Sequence, residues 1–108
     1  MTSRSVTVVN RLGIHARAAA KFVHVATRFG ARISVARDGR EVDGKSIMGI
    51  LLLAAARGTT ILITADGTDE TSAIEALAAL VQSGFGEDAG FAAREPRKGP
   101  ERGTRRKR

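Results

Sequence analysis

Residues 5–84 alternate between short β-branched runs and stretches of helical periodicity, and nearly every change carries a turn signal. That alternation constrains the fold most. Ser5 to Val9 (Ser-Val-Thr-Val-Val) predicts a strand. From Ala16 to Phe29 the apolar residues Ala19, Phe22, Val23, Ala26 and Phe29 recur at helical spacing, and Gly30 is the expected stop. Arg32 to Arg37 alternates as a strand, Asp38-Gly39 is a two-residue hairpin signal, and Arg40 to Asp43 returns as a short strand. Ser46 is placed to cap a short helix over Ile47 to Leu53, which Arg57-Gly58 breaks. Thr59 to Ala65 is the strongest strand pattern. Asp66-Gly67 turns, Thr68 caps the next helix with Asp69 and Glu70 in its first turn, and Gly84 ends it. Ala73, Leu77, Leu80 and Val81 form that helix's apolar stripe. The order β-α-β-β-α-β-α implies an α+β sandwich of two layers, a sheet with helices on one face.

A chain of 108 residues suits one domain. There is no cysteine, which excludes disulfides, thiolate metal sites and thiol catalysis. Two histidines without paired carboxylate spacing speak against zinc, and no cofactor or metal is expected. With no Trp or Tyr, stacking platforms for single-stranded nucleic acid are nearly absent. The N-terminus lacks the apolar run of a signal peptide, and no apolar stretch reaches the ~20 residues of a membrane span. A cytoplasmic monomer is the expectation. The net charge of +7 is unevenly placed: residues 92–108 carry a net of +6, against +1 for residues 1–91. Residues 1–90 are therefore expected to form the domain, and 91–108 a basic, disordered tail.

One of the two histidines, His15, sits where a glycine-containing turn runs into the first helix, in Gly13-Ile14-His15-Ala16-Arg17. A lone histidine is usually structural or simply exposed. At a helix N-terminus, however, it meets unsatisfied N–H donors and about +0.5 of charge, a field that attracts phosphate. Neutral imidazole is a competent nucleophile, and Arg17 is close enough in sequence to donate to the same anion. His24 lies mid-helix and lacks that setting. Arg17, Lys21, His24 and Arg28 share one stripe, either the wet face of an amphipathic helix or a surface for docking an acidic partner. In Lys45-Ser46-Ile47-Met48-Gly49-Ile50, Ser46 is a cap or a phosphorylation site at a cap. Ile47 and Met48 form a contact patch if exposed and core if buried.

The chain resembles HPr, the histidine-containing phosphocarrier family of the bacterial phosphoenolpyruvate-dependent phosphotransferase system. The resemblance rests on Gly13-Ile14-His15-Ala16-Arg17, Lys45-Ser46-Ile47-Met48-Gly49-Ile50 and Gly84-Phe85-Gly86-Glu87, and covers about residues 4–88. The run from Lys45 to Gly58 is most similar to the nitrogen-related branch. The resemblance implies an open-faced β-sandwich with a four-stranded antiparallel sheet. It implies a phosphohistidine at His15 on Nδ1, stabilised by Arg17, with enzyme I as donor and an enzyme IIA domain as acceptor. It also implies modification of Ser46 by an HPr kinase/phosphorylase, and a carrier rather than a turnover enzyme.

Two departures stand out. Ala18 replaces the family's usual proline; alanine keeps the helix, at a preorganisation cost of about 0.4–1 kcal/mol, and phosphotransfer is expected to tolerate it. The basic tail extends beyond where typical members end. It is read as a solvated extension in preference to a binder of nucleic acid or anionic membrane. A regulatory binding module of the same fold, switched by Ser46 phosphorylation, is the alternative to the carrier.

Overall fold

Apolar side chains line up across the strands in register, and this decides which face of the sheet is covered. The computed structural model describes residues 1–86, and the expectations for the tail and for Glu87 lie outside them. The elements are β1 (Thr2–Thr7), α1 (Ala16–Ala26), β2 (Arg32–Arg37), β3 (Arg40–Asp43), α2 (Ile47–Leu52), β4 (Thr60–Asp66) and α3 (Glu70–Gln82), then a 3₁₀ turn at Gly84–Gly86. The sheet is antiparallel throughout, in the order β1-β4-β2-β3. The pairs Val6–Ile61, Ile33–Ala65 and Val35–Ile63 put six buried side chains on one face. There they meet Phe22 and Ala26 of α1, Ile50 of α2, and Ile74, Leu77 and Val81 of α3. The opposite face carries polar rows such as Ser3–Thr64–Ser34–Asp43. This is the open-faced β-sandwich, with the described helices all on one side.

The hairpin forms as its dipeptide demands. Asp38 and Gly39 adopt φ of 51° and 81°, the left-handed pair that a two-residue turn needs. Besides a one-residue offset of β4 (Thr60–Asp66 rather than Thr59 to Ala65), four boundaries differ from the sequence reading. The first strand begins at Thr2 and leaves regular pairing after Thr7, rather than spanning Ser5 to Val9. Its only buried residue is Val6, so apolar alternation gives no signal for its first half. The edge strand is held instead by its backbone ladder and by hydroxyl pairs, Ser3–Thr64 at 2.9 Å and Thr7–Thr60 at 3.3 Å.

Helix α1 stops at Ala26, short of Phe29, and Gly30 is not its terminator. The Arg28 and Phe29 N–H groups bond three residues back, to Val25 and Ala26, tightening the last turn. The Thr27 hydroxyl donates to His24 O at 2.8 Å. Beyond it, the Gly30 and Ala31 N–H groups both donate to the Asp69 carboxylate, each at 2.9 Å. That engagement also explains the third difference. Asp69, not Thr68, is the N-cap of α3, and its side chain serves the distant turn instead of its own helix. Finally, α2 ends at Leu52, with Leu53 as C-cap and Ala54 at φ 51°. Arg37 Nη1 donates to Leu53 O at 2.6 Å and Ala54 O at 3.0 Å, and Arg40 Nη1 to Leu52 O at 3.0 Å. Two cations of the β2–β3 hairpin thus satisfy the negative end of a helix that has no basic residue in its own last turn.

Glu70 joins β1 to the start of α3. Its carboxylate accepts from Gly67 N–H at 3.1 Å and from the Thr2 hydroxyl at 2.8 Å, and lies 3.0 Å from the Met1 amine. The Gly67 bond first, then the amine and the hydroxyl, lower its pKa from 4.5 to about 2. The amine is correspondingly raised above its ordinary 8.0, chiefly by the bond to Glu70. A depressed carboxyl stabilises the fold fully above its unfolded value and loses that contribution as pH falls toward its folded value. Thermal melts of wild type and Glu70→Gln should therefore differ most above about pH 4.5 and converge toward about pH 2. Melting curves whose separation stays constant across that interval would contradict the arrangement.

Candidate functional site

The approach to His15 is a tightly bonded loop. Buried Asn10 donates from Nδ2 to Gly13 O at 2.7 Å, and Gly13 N–H donates to Asn10 O at 3.1 Å. Ile14 N–H donates to Ala55 O at 2.9 Å, tying the loop to the segment after α2. Gly13 has φ of 70°, and a Cβ there would lie 2.8 Å from Ala55 O and 3.0 Å from Ala56 Cα. Only glycine meets both conditions.

His15 is then the N-cap of α1, with extended φ and ψ of −93° and −174°. Its carbonyl accepts the first helical bond, from Ala19 N–H at 2.8 Å. Its ring nitrogen Nδ1 accepts from Arg17 N–H at 3.2 Å, the duty that Ser, Thr, Asp or Asn usually performs. An Nδ1 that accepts carries a lone pair, which assigns the neutral imidazole's proton to Nε2. A nucleophilic nitrogen is thereby aimed at the positive end of an eleven-residue helix. The ring is half-buried and the Arg17 side chain is exposed. Ala18, the third helical residue, has a fully buried side chain, and its N–H precedes the first rung of the ladder.

Ser46 repeats the device on the neighbouring helix. Its Oγ accepts from Gly49 N–H at 3.0 Å as the N-cap of α2, and the side chain is half-buried. Gly49 sits close to β3: a Cβ there would come within 3.2 Å of Val42 Cβ, a tight contact. Ile47 and Met48 are exposed, 43% and 66%, and so belong to the surface. Leu52, one turn beyond Met48, and Leu12, in the His15 loop, are exposed at 59% and 67%. The sequence reading did not single out these two leucines. Leu52 follows Met48 at i+4, a spacing that would have found it; Leu12 carries no periodic signal. Helix α2 packs against α1, and Ala55 holds the loop before His15, so this apolar surface and the histidine share the helical layer.

The basic stripe is not uniform. Arg17, His24 and Arg28 are exposed. Lys21 is half-buried, and its Nζ donates to Phe85 O at 2.8 Å. Phe85 is buried and left-handed (φ 58°) between Gly84 and Gly86, which also have positive φ. A Cβ on Gly84 would stand 3.4 Å from Asn10 Cβ, so this turn backs directly onto the residue that braces the His15 loop. Lys45 is engaged in the same manner, donating to Phe29 O at 2.8 Å. Among the described residues, no cluster of His, Cys, Asp or Glu is suited to hold a metal ion, and no helix is long and apolar enough to cross a membrane.

Comparison with known proteins identifies the family. Residues 2–83 match the family model described as the PTS HPr component phosphorylation site. The phosphocarrier protein HPr of Cupriavidus necator is 47% identical over 87 residues, covering 81% of this chain and 98% of that protein. The crystal structure of HPr-C-His from Thermoanaerobacter tengcongensis superposes with a TM-score of 0.77 at 42% identity, covering 80% of this chain and 97% of that one. That of Crh, a Bacillus subtilis catabolite repression protein, superposes at 0.64 with 43% identity, covering 78% and 97%. A histidine capping a helix within this open-faced sandwich, and relatives matched over nearly their whole length, place the chain in the HPr family of phosphocarrier proteins of the phosphotransferase system.

Proposed function

We propose that the chain accepts a phosphoryl group from phospho-enzyme I on His15 Nδ1 and passes it to an enzyme IIA domain. The observation that carries this reading is the Arg17 N–H donating to His15 Nδ1. That bond holds the lone pair at the helix end in the neutral tautomer. Attack on phosphorus forms an N–P bond while the bond from phosphorus to the donor's own group breaks. The Arg17 N–H, relieved of the nitrogen, then faces phosphoryl oxygen, where the helix end and the Arg17 guanidinium both favour negative charge. Leu12, Ile47, Met48 and Leu52 supply apolar contact for the two partners, and Arg17, His24 and Arg28 supply charge that steers acidic surfaces. Lys21 contributes less to docking than its place on the stripe suggests, because its amine is bonded to Phe85 O.

A regulatory reading is favoured by one further observation, the position of Ser46 as N-cap of α2 beside that apolar surface. An HPr kinase/phosphorylase acting there would place a dianion at a positive helix end, changing the surface without melting the helix. Crh, to which the chain is similar, is named a catabolite repression protein, in keeping with a regulatory role beside phosphotransfer.

Incubation with enzyme I and phosphoenolpyruvate should give an acid-labile mass gain that disappears in His15→Ala; a gain that persisted would place the acceptor elsewhere. Partner capture by His15→Ala and Ser46→Ala should differ, the first losing relay partners and the second losing only contacts that depend on serine phosphorylation. Identical capture by both would remove the regulatory reading. Ala18→Pro removes no ladder bond, because the first rung is donated by Ala19. It should change the rate of phosphorylation by no more than about fivefold, the equivalent of about 1 kcal/mol. An inert wild type restored by this substitution would show that Ala18 blocks transfer.

A further inference from the structure

We propose that Met48 is an oxidation-sensitive site through which peroxide lowers the chain's affinity for its phosphoryl donor. The proposal rests on the docking role given above to the apolar surface of α2. The whole chain contains no Cys, Trp or Tyr and two methionines, Met1 and Met48, so its thioethers are the side chains most open to peroxide. Met48 is 66% exposed on α2, directly after Ile47 and one turn before Leu52, which are exposed as well, and it is the sole sulfur on that helix. It is not among the side chains that build the core, so modification leaves the sandwich and the His15 cap intact.

The step balances without a metal or cofactor. The thioether sulfur attacks the terminal, hydrogen-bearing oxygen of a hydroperoxide, an S–O bond forms, the O–O bond breaks, and the proton of the attacked oxygen passes to the departing oxygen. Sulfur loses two electrons, the peroxide gains them, and water or an alcohol leaves. The product is a polar sulfoxide in place of a flexible apolar side chain. Covered by a partner's apolar side chains, that oxygen loses its bonds to water without gaining others. Methionine sulfoxide reductases reverse the change, which makes it a switch rather than damage.

Met1 provides the internal control. It is 79% exposed, but its amine is tied to Asp66 and Glu70 at the start of α3, in a different part of the fold. The full chain is treated with hydrogen peroxide, the sulfoxides are located by peptide mass mapping, and phosphorylation by enzyme I and phosphoenolpyruvate is followed at several carrier concentrations. Sulfoxide at Met48 should raise the KM of enzyme I for the carrier about tenfold with little change in kcat, with reductase treatment restoring the starting value. In Met48→Leu, whatever its starting KM, peroxide should leave that value unchanged. An unmoved KM after Met48 oxidation, an equal rise in Met48→Leu, or resistance of Met48 to peroxide that oxidises Met1 would each overturn the proposal. If untreated chain is phosphorylated normally in those cases, the proposal alone fails. An untreated chain that accepts no phosphoryl group overturns the carrier reading and this proposal with it.

Discussion

The passage of Gly13 against Ala55 and Ala56 is the constraint on which the rest of the site depends. No side chain fits at that approach, and the backbone there is left-handed. The Ile14 N–H bond to Ala55 O then fixes where α1 starts relative to the end of α2. His15 can serve as a helix cap only because the preceding loop delivers it in an extended conformation at that point. The same suture places the apolar residues of α2 and the histidine of α1 in one layer.

Long-range charge contacts complete the ends of the secondary structure. Asp69 receives the two N–H groups that follow α1, Arg37 and Arg40 cover the last carbonyls of α2, Lys45 holds Phe29 O, and Lys21 holds Phe85 O. Each contact satisfies backbone groups at the end of a helix or in the turn that follows it. Exposed ion pairs by themselves contribute little. These contacts matter because they join a side chain to backbone groups from a different element. Among the described residues they also separate cations that hold the fold, such as Lys21 and Arg37, from exposed ones such as Arg17 and Arg28.

What was legible in the sequence was local. The Asp38-Gly39 turn, the start of α1 at His15, the cap at Ser46 and the Gly84 stop depend on residues within a few positions of one another, and each appears where its spacing places it. The buried stripes of α1 and α3 follow for the same reason. The missed features depend on partners remote in the chain. The end of α1 is set in part by a carboxylate 38 residues from Ala31, the end of α2 is covered by arginines on the preceding hairpin, and the first half of β1 exists because β4 offers it an edge. Lys21 reads as a surface cation until its acceptor, 64 residues away, is known.

The face of the sheet that no described helix covers carries a different consequence. Its rows of serine and threonine, with Asp43 at one margin, bond to one another or to water with nearly equal ease. Leu62 is the large apolar side chain that interrupts them, at 40% exposure. Two copies brought together through these faces would exchange hydration for hydroxyl contacts and gain little apolar burial. The face that the described helices leave open is thus matched to solvent as closely as the covered face is matched to its helices, and its composition gives that half of the sheet little that is adhesive.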